Sequence, residues 1–212
     1  MIKIIKKEFD WVRPLRPLVL SQITAIAVHH MEHLKAGMDD IHRWHIDRGW
    51  KGFAYNYWID YEGNIFECRG LNKGGGLYDP HNDYTISIGF QGHYDITKEM
   101  PNTQYNSGVE LIKYLKEKVP TINLTAGHKY WQPEKTCPGK YFPLEKMIGD
   151  VKNMSTFKDN DKISNWAKQA VKTTYELGIF KGDSNGNFNP KENCTREELA
   201  EVIYRTLQLI NK

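Results

Sequence analysis

The stretch ITAIAVHH (residues 23–30) is a short apolar and β-branched run that ends in two histidines. Such a run predicts a buried strand. Two further runs, TISIGFQG (85–92) and TINLTAGH (121–128), have the same character, and the second delivers His128 at its end. The sequence therefore predicts several buried strands, two of which end at a histidine.

Helical patterns and a hairpin alternate with these strands. The predicted pieces are helices over 39–48 and 103–118, a β-hairpin of 54–60 and 65–69 around a turn at 61–64, and a loop over 70–84. Strands that alternate with helices predict an α/β domain with a central mixed β-sheet flanked by helices. We assign it to residues 1–150.

The remainder of the chain has a different pattern. The sequence GDVKNMSTFK (149–158) is polar and predicts a linker, and amphipathic helices follow near 163–177 and 195–209. Thr195 with Glu198 three residues later predicts a capping box, and DSNGN (183–187) predicts a turn. Residues 157–212 are therefore expected to form a small helical module.

Composition excludes several classes of protein. The 212 residues carry a net charge of +3 without a clustered basic stripe, so we expect no nucleic-acid partner. No apolar run approaches the roughly 20 residues of a membrane span, so we expect no membrane insertion. The start, MIKIIKKEFDWVRP, lacks an apolar segment behind its lysines. We therefore expect synthesis in the cytoplasm without a signal peptide.

The three cysteines are far apart and odd in number, which argues against a disulfide framework. Cys68 and Cys194 are expected to be small buried hydrophobic residues. Cys137 lies in EKTCPGKY (134–141), shortly after His128. With His29 it completes a set of two imidazoles and one thiolate, which suits Zn²⁺ and leaves a fourth position open, as in catalytic zinc sites. Spacing alone is not specific, because histidines are more often ordinary core or surface residues.

Five motifs add specificity: VHH, RWHIDRGWKGFAYNYWIDYEGNIFECR, SIGFQG, GH and TCPG. In this order, over about 20–145, they resemble the type 2 N-acetylmuramoyl-L-alanine amidases, a superfamily that includes phage lysis amidases and peptidoglycan recognition proteins. The resemblance implies a zinc hydrolase that cuts the amide between N-acetylmuramic acid and L-Ala of peptidoglycan. It implies His29, His128 and Cys137 as zinc ligands; His30 and His93 are the alternative ligands.

The resemblance also implies catalytic residues. Lys135 matches a catalytic lysine and would stabilise the oxyanion. Tyr55 would orient the water, accept its proton or donate to the oxyanion; a core aromatic and a solvated lysine are the structural alternatives. Many relatives carry Glu where this chain has Gln91, and an amide is no general base. The step from His128 to Cys137 is one residue longer than usual.

Substrate contacts are expected from Arg69, His93 and Gln91. Trp44, His45 and Trp50 are more often packing residues. The tail resembles a single S-layer homology (SLH) repeat through FKD (157–159), Trp166-Ala167, Gly182-Asp183, Phe188, Pro190 and Thr195-Arg196-Glu197. This implies binding to a secondary cell-wall polymer, with Asp159, Trp166 and Arg196 as candidate contacts. One repeat is fewer than the usual three.

The leading hypothesis is therefore a phage or prophage endolysin of a Gram-positive host, which acts on the cell wall after release. The alternatives are a bacterial autolysin with the same activity, a non-catalytic peptidoglycan-binding protein, and an SLH-type structural protein with a passive N-terminal domain.

Overall fold

A mixed six-stranded sheet organises the larger part of the chain. The computed structural model describes residues 2–153 and 157–210. The strands are β1 (Ile4–Lys6), β2 (Ala25–His30), β3 (Tyr57–Ile59), β4 (Ile65–Glu67), β5 (Thr85–Phe90) and β6 (Leu124–Gly127). Their order in the sheet is β1-β4-β3-β5-β2-β6, and β3 with β4 is the antiparallel pair.

Helices lie between and after these strands in the chain. They are α1 (Met38–Asp47), α2 (Asn102–Lys118), α3 (Leu144–Asn153), α4 (Lys168–Glu176) and α5 (Arg196–Ile210). The predicted α/β class with a mixed sheet is confirmed. None of the helices in the described ranges is long and apolar enough to cross a membrane.

The centre of the sheet fixes the position of the histidines. Every residue of β2 and β5 is buried, which their apolar sequences explain. In the parallel pairing of β2 with β6, Val28 lies opposite Gly127. His29 and His128 therefore emerge side by side at the carboxyl edge of the sheet.

The structure differs from the sequence-based expectation at two places. Strand β1 was not predicted, since three residues carry too short a pattern. Residues 149–153, expected in a linker, continue helix α3, because Met147 is fully buried on its inner face; residues 154–156 of that linker lie outside the described residues. The chain divides into two compact units, Met1–Lys152 and Asn153–Lys212.

The C-terminal unit has a small core. Phe157, Ile163 and Val171 are buried there, with Ala167 and Phe188 packed against them. Its first helix, α4, begins at Lys168, later than the predicted residue 163. The predicted capping box is confirmed, since the Thr195 amide donates to Glu198 and the Glu198 amide to Thr195 Oγ1.

The cysteines outside the candidate metal site differ from each other. Cys68 is half-buried and packs against the cluster that contains Phe53 and Trp58. Cys194 is exposed, so the prediction that it is buried is wrong. It directly precedes the cap of α5, where the chain lies at the surface of the small unit.

Candidate metal centre and catalytic cleft

Two histidines and one cysteine meet at the carboxyl edge of the sheet. His29 is the penultimate residue of β2, His128 follows β6, and Cys137 lies in the loop after it. Nδ1 of His29 lies 3.2 Å from Nδ1 of His128 and 3.8 Å from Sγ of Cys137. The ligand atoms of all three lie within 4.8 Å of one another. The structure thus brings together the three residues predicted as zinc ligands.

The spacing of these atoms suits a tetrahedral zinc ion. Zn–N bonds of about 2.05 Å and a Zn–S bond of about 2.3 Å place two nitrogens about 3.3 Å apart and nitrogen and sulfur about 3.5 Å apart. The observed distances are close to both. The extra residue between His128 and Cys137 does not keep the sulfur from reaching the histidines.

The pKa values of the two histidines and of the cysteine are shifted in different directions. Burial holds the pKa of His29 well below its usual range and also lowers that of His128, so both rings are neutral and can bind a metal. Burial raises the pKa of Cys137 to about 12. The metal-free site therefore holds Cys137 as a neutral thiol, which would have to release its proton on binding a metal ion.

Gln132 orients the ring of His128, and the sequence analysis missed it. Its Oε1 lies 2.6 Å from Nε2 of His128. The amide oxygen can only accept, so Nε2 carries the proton and Nδ1 keeps its lone pair for a metal. Gln132 is buried and lies four residues after His128. That spacing is the one signal that could have identified it.

His30 has a different role from His29. The backbone amide of Tyr94 donates to Nδ1 of His30 at 2.9 Å, which places the ring proton on Nε2. Nε2 lies 3.6 Å from Glu32 and 3.8 Å from Asp95. The ring of His30 therefore faces these carboxylates, in a group separate from that of His29, His128 and Cys137.

His93, the other alternative ligand, belongs to a separate group with His30 and Asp95. The carboxylate of Asp95 is already engaged, since it accepts from the Thr136 hydroxyl at 2.7 Å and from the Lys140 amide at 3.0 Å. These bonds attach the loop that carries Cys137 to the segment after β5. Asp95 therefore helps to hold the loop with Cys137 beside His29 and His128.

A cleft of about 260 Å³ lies over the metal centre. Both residues predicted as catalytic, Tyr55 and Lys135, line it. Tyr55 is buried with its ring centre 5.1 Å from that of His29, and burial raises its pKa far above the usual range. Further lining residues are Glu32, His45, Arg48, Trp50, Gly76, Tyr78 and Gln132.

The three residues predicted to contact substrate lie outside that lining. Arg69 is buried and donates to the carbonyls of Gly52, Phe53 and Lys73, so its guanidinium holds loops together; it lines a neighbouring pocket. Gln91 connects the Tyr61 amide with the Ala36 carbonyl. His93 lies in the group with His30 and Asp95.

Glu32, Trp50 and Tyr78 also line the cleft, and the sequence analysis did not name Glu32 or Tyr78. Glu32 has a left-handed backbone with φ of 56°, and it follows His29 with no motif that marks it. Trp50 and Tyr78 are 40% and 63% exposed. Of the residues expected to pack, Trp44 packs against the core cluster, whereas Trp50 and His45 also face the cleft.

The candidate polymer-binding residues of the C-terminal unit have unlike surroundings. Asp159 is buried and accepts from the amides of Phe188 and Asn189 at 2.7 and 2.8 Å, which is a structural role. Trp166 is 88% exposed. Arg196 is exposed at the first position of α5. Of the three, Trp166 and Arg196 are free to meet a ligand.

Comparison with known proteins supports both units. The sequence profile of the N-acetylmuramoyl-L-alanine amidase family matches residues 20–140, and that of the S-layer homology domain matches residues 156–200. The endolysin N-acetylmuramoyl-L-alanine amidase LysCS from Clostridium intestinale has a similar structure, with a TM-score of 0.64 and 25% identity over 71% of this chain and 96% of that one.

Two curated relatives each match about a third of this chain. The Drosophila melanogaster peptidoglycan-recognition protein SC1a is 35% identical over 68 residues, which are 32% of this chain and 37% of that protein. The surface-layer 125 kDa protein of Lysinibacillus sphaericus is 39% identical over 62 residues, 29% of this chain and 5% of that protein. The chain thus spans a minor part of these relatives. It belongs to the N-acetylmuramoyl-L-alanine amidase family and carries an S-layer homology domain.

Proposed function

We propose that the protein is a zinc-dependent amidase that cleaves the bond between N-acetylmuramic acid and L-Ala of peptidoglycan. The convergence of His29, His128 and Cys137 under a cleft lined by Tyr55 and Lys135 carries this proposal. A bound zinc ion would supply an activated water and polarise the scissile carbonyl. The remaining chemistry falls to side chains of this chain.

Lys135 and Tyr55 act on the oxyanion that develops from the carbonyl oxygen. Lys135 brings an ammonium group whose positive charge stabilises it. Tyr55 keeps its phenolic proton and can donate a hydrogen bond to the same oxygen. This assigns Tyr55 one of the three roles that the sequence left open.

Glu32 is the proton acceptor in this proposal. Among the described residues that line the cleft, it is the one carboxylate. Its Oε1 lies 3.6 Å from Nε2 of His30, which keeps it directed at the buried edge. It takes the role that Gln91 cannot fill, both as an amide and from its position outside the cleft. The proton then passes to the leaving amine.

The finer proposal is an endolysin that is made in the cytoplasm and acts on the wall after release. The likeness to LysCS supports it. The S-layer homology domain supports a second partner, a secondary cell-wall polymer bound through Arg196 and Trp166. A bacterial autolysin would have the same chemistry and differ in how it reaches the wall.

The test is the digestion of purified Gram-positive cell walls, with separate counts of new N-terminal L-Ala and new reducing ends. The proposal predicts new L-Ala termini without reducing ends. Lys135→Gln should lower the rate by roughly 100-fold or more, and Lys129→Gln, an exposed lysine outside the cleft lining, should not. Binding to walls without any new L-Ala terminus would favour a non-catalytic peptidoglycan-binding protein.

A further inference from the structure

Nε2 of His29 is buried and has no hydrogen-bond partner among the described groups. Nδ1 of the same ring faces His128 and Cys137. A neutral ring with its lone pair on Nδ1 must carry its proton on Nε2. Histidines that bind metals almost always donate that second N–H, because the partner fixes the tautomer and the ring orientation. For His128 the partner is Gln132. The corresponding partner of His29, which would accept its Nε2–H, has still to be identified.

Ser87 offers the matching group. It is fully buried, and its Oγ has no hydrogen-bond partner either. Ser87 lies opposite Ala27 in the parallel pairing of β5 with β2. Alternate residues of a strand share one face, so Ser87 lies on the same face of the sheet as His29. Asn56 binds the backbone of Ser87 through two hydrogen bonds of 2.9 Å. The Ser87 amide donates to Oδ1 of Asn56, and the Asn56 amide donates to the Ser87 carbonyl.

Gly76 lies directly against both atoms. A Cβ built on Gly76 would be 2.9 Å from Ser87 Oγ and 3.0 Å from His29 Nε2. Both groups therefore border the space that the absent side chain leaves. The adjacent Gly75 is different, because its Cβ would meet Ala54 Cβ at 3.5 Å, an ordinary contact.

We propose that the hydroxyl of Ser87 accepts the Nε2–H of His29, directly or through one bridging water, in the space kept open by Gly76. Ser87 is thereby a positioning residue that holds Nδ1 toward the metal. This inference rests on the proposed zinc site. It also gives Gly76 a specific role, because a side chain at this position would fill the space beside Ser87 Oγ and His29 Nε2.

The test measures zinc affinity by competition with a chromogenic chelator, for the parent protein, Ser87→Ala, Gly76→Ala and Gly75→Ala. Losing the partner of a metal-binding histidine costs about 10–100-fold in affinity. We expect that loss in Ser87→Ala and Gly76→Ala and an unchanged affinity in Gly75→Ala. The zinc-free Ser87→Ala protein should still fold and give a single cooperative thermal transition, because only the hydrogen bond to His29 is lost.

A spectroscopic measurement separates positioning from general stability. In the zinc-loaded parent, the Nε2–H of His29 should give a proton–nitrogen signal that exchanges slowly with water, and in Ser87→Ala that signal should weaken. Parent-like zinc affinity in Ser87→Ala would overturn the inference, as would equal damage from Gly75→Ala and Gly76→Ala. If Gly76→Ala fails to fold, Ser87→Ala decides alone. A parent that binds no zinc would overturn the metal-based function and this inference with it.

Discussion

The metal edge, as we call the candidate site of His29, His128 and Cys137, and the C-terminal unit differ in how deeply their candidate residues are buried. At the metal edge, His29 and Cys137 are 1% and 4% exposed. Strand β2 holds His29, and the backbone amide of His30 donates to Sγ of Cys137 at 3.4 Å. In the C-terminal unit, α5 has no buried residue within its described part, and Trp166 is 88% exposed. A buried site is built by packing and can be inferred from geometry. A surface site depends on its ligand, so its residues must be tested one by one.

The largest effect is expected at the metal edge. Cys137→Ser should abolish zinc binding and lower amidase activity by more than roughly 100-fold, because even the partner of a ligand is worth about 10–100-fold. Metal content and release of L-Ala measure this. Cys68→Ser is the matched control, since that half-buried thiol lies in another part of the core. Equal losses in both variants would mean that Cys137 acts through stability.

The second prediction concerns pH and the buried wall of the cleft. Burial, with smaller contributions from Arg48 and Arg69, lowers the pKa of His45 to about 3, and its Nδ1 accepts from the Ala54 amide at 3.1 Å. In the unfolded chain His45 binds a proton at about pH 6.5, whereas in the folded chain it stays neutral at that pH. Stability from His45 is therefore complete above that pH and is lost as the pH falls toward 3, by about 3 kcal/mol between pH 7 and pH 4.

The measurement is the free energy of unfolding of the parent and of His45→Gln at several pH values. Glutamine does not titrate, so the variant should lose less stability on acidification and the difference should grow below pH 6.5. Parallel curves for the two proteins would show that His45 is protonated in the folded state as well.

A third prediction sharpens the contrast inside the C-terminal unit. Asp159→Asn removes the negative charge and replaces one of the two oxygens that accept from the Phe188 and Asn189 amides. The variant should therefore lower the stability of this unit by about 2 kcal/mol. Asp161→Asn changes an exposed carboxylate nearby and should stay within about 0.5 kcal/mol. Chemical denaturation measures both. A stable Asp159→Asn protein that no longer bound wall polymer would return Asp159 to the ligand-binding set.

The smallest effect on stability is expected at Trp166. Because its side chain is exposed, Trp166→Ala should change the free energy of unfolding by less than about 0.5 kcal/mol. If it binds polymer, sedimentation with purified walls should weaken while the intrinsic amidase rate on small soluble fragments stays the same. Unchanged sedimentation would remove Trp166 from the binding surface.

The same contrast explains how much the sequence could predict. The α/β sheet follows from its apolar runs, because burial imposes a simple pattern. The candidate ligands His29, His128 and Cys137 come from the resemblance of their motifs to a known family, since spacing alone is not specific. Glu32, Gln132 and Ser87 were missed because their positions depend on a loop conformation, a local turn and strand register. Arg69 and Gln91 bind backbone groups in the structure, and a polar side chain near a motif looks the same in the sequence whether it contacts substrate or backbone.

The most direct test of the account is a zinc titration of the metal-stripped protein, followed by the release of N-terminal L-Ala from purified cell walls. The account predicts no activity without metal and a rise that saturates at about one zinc per chain, with no rise in Cys137→Ser. Full activity in the metal-stripped protein, or zinc-restored activity in Cys137→Ser, would contradict it.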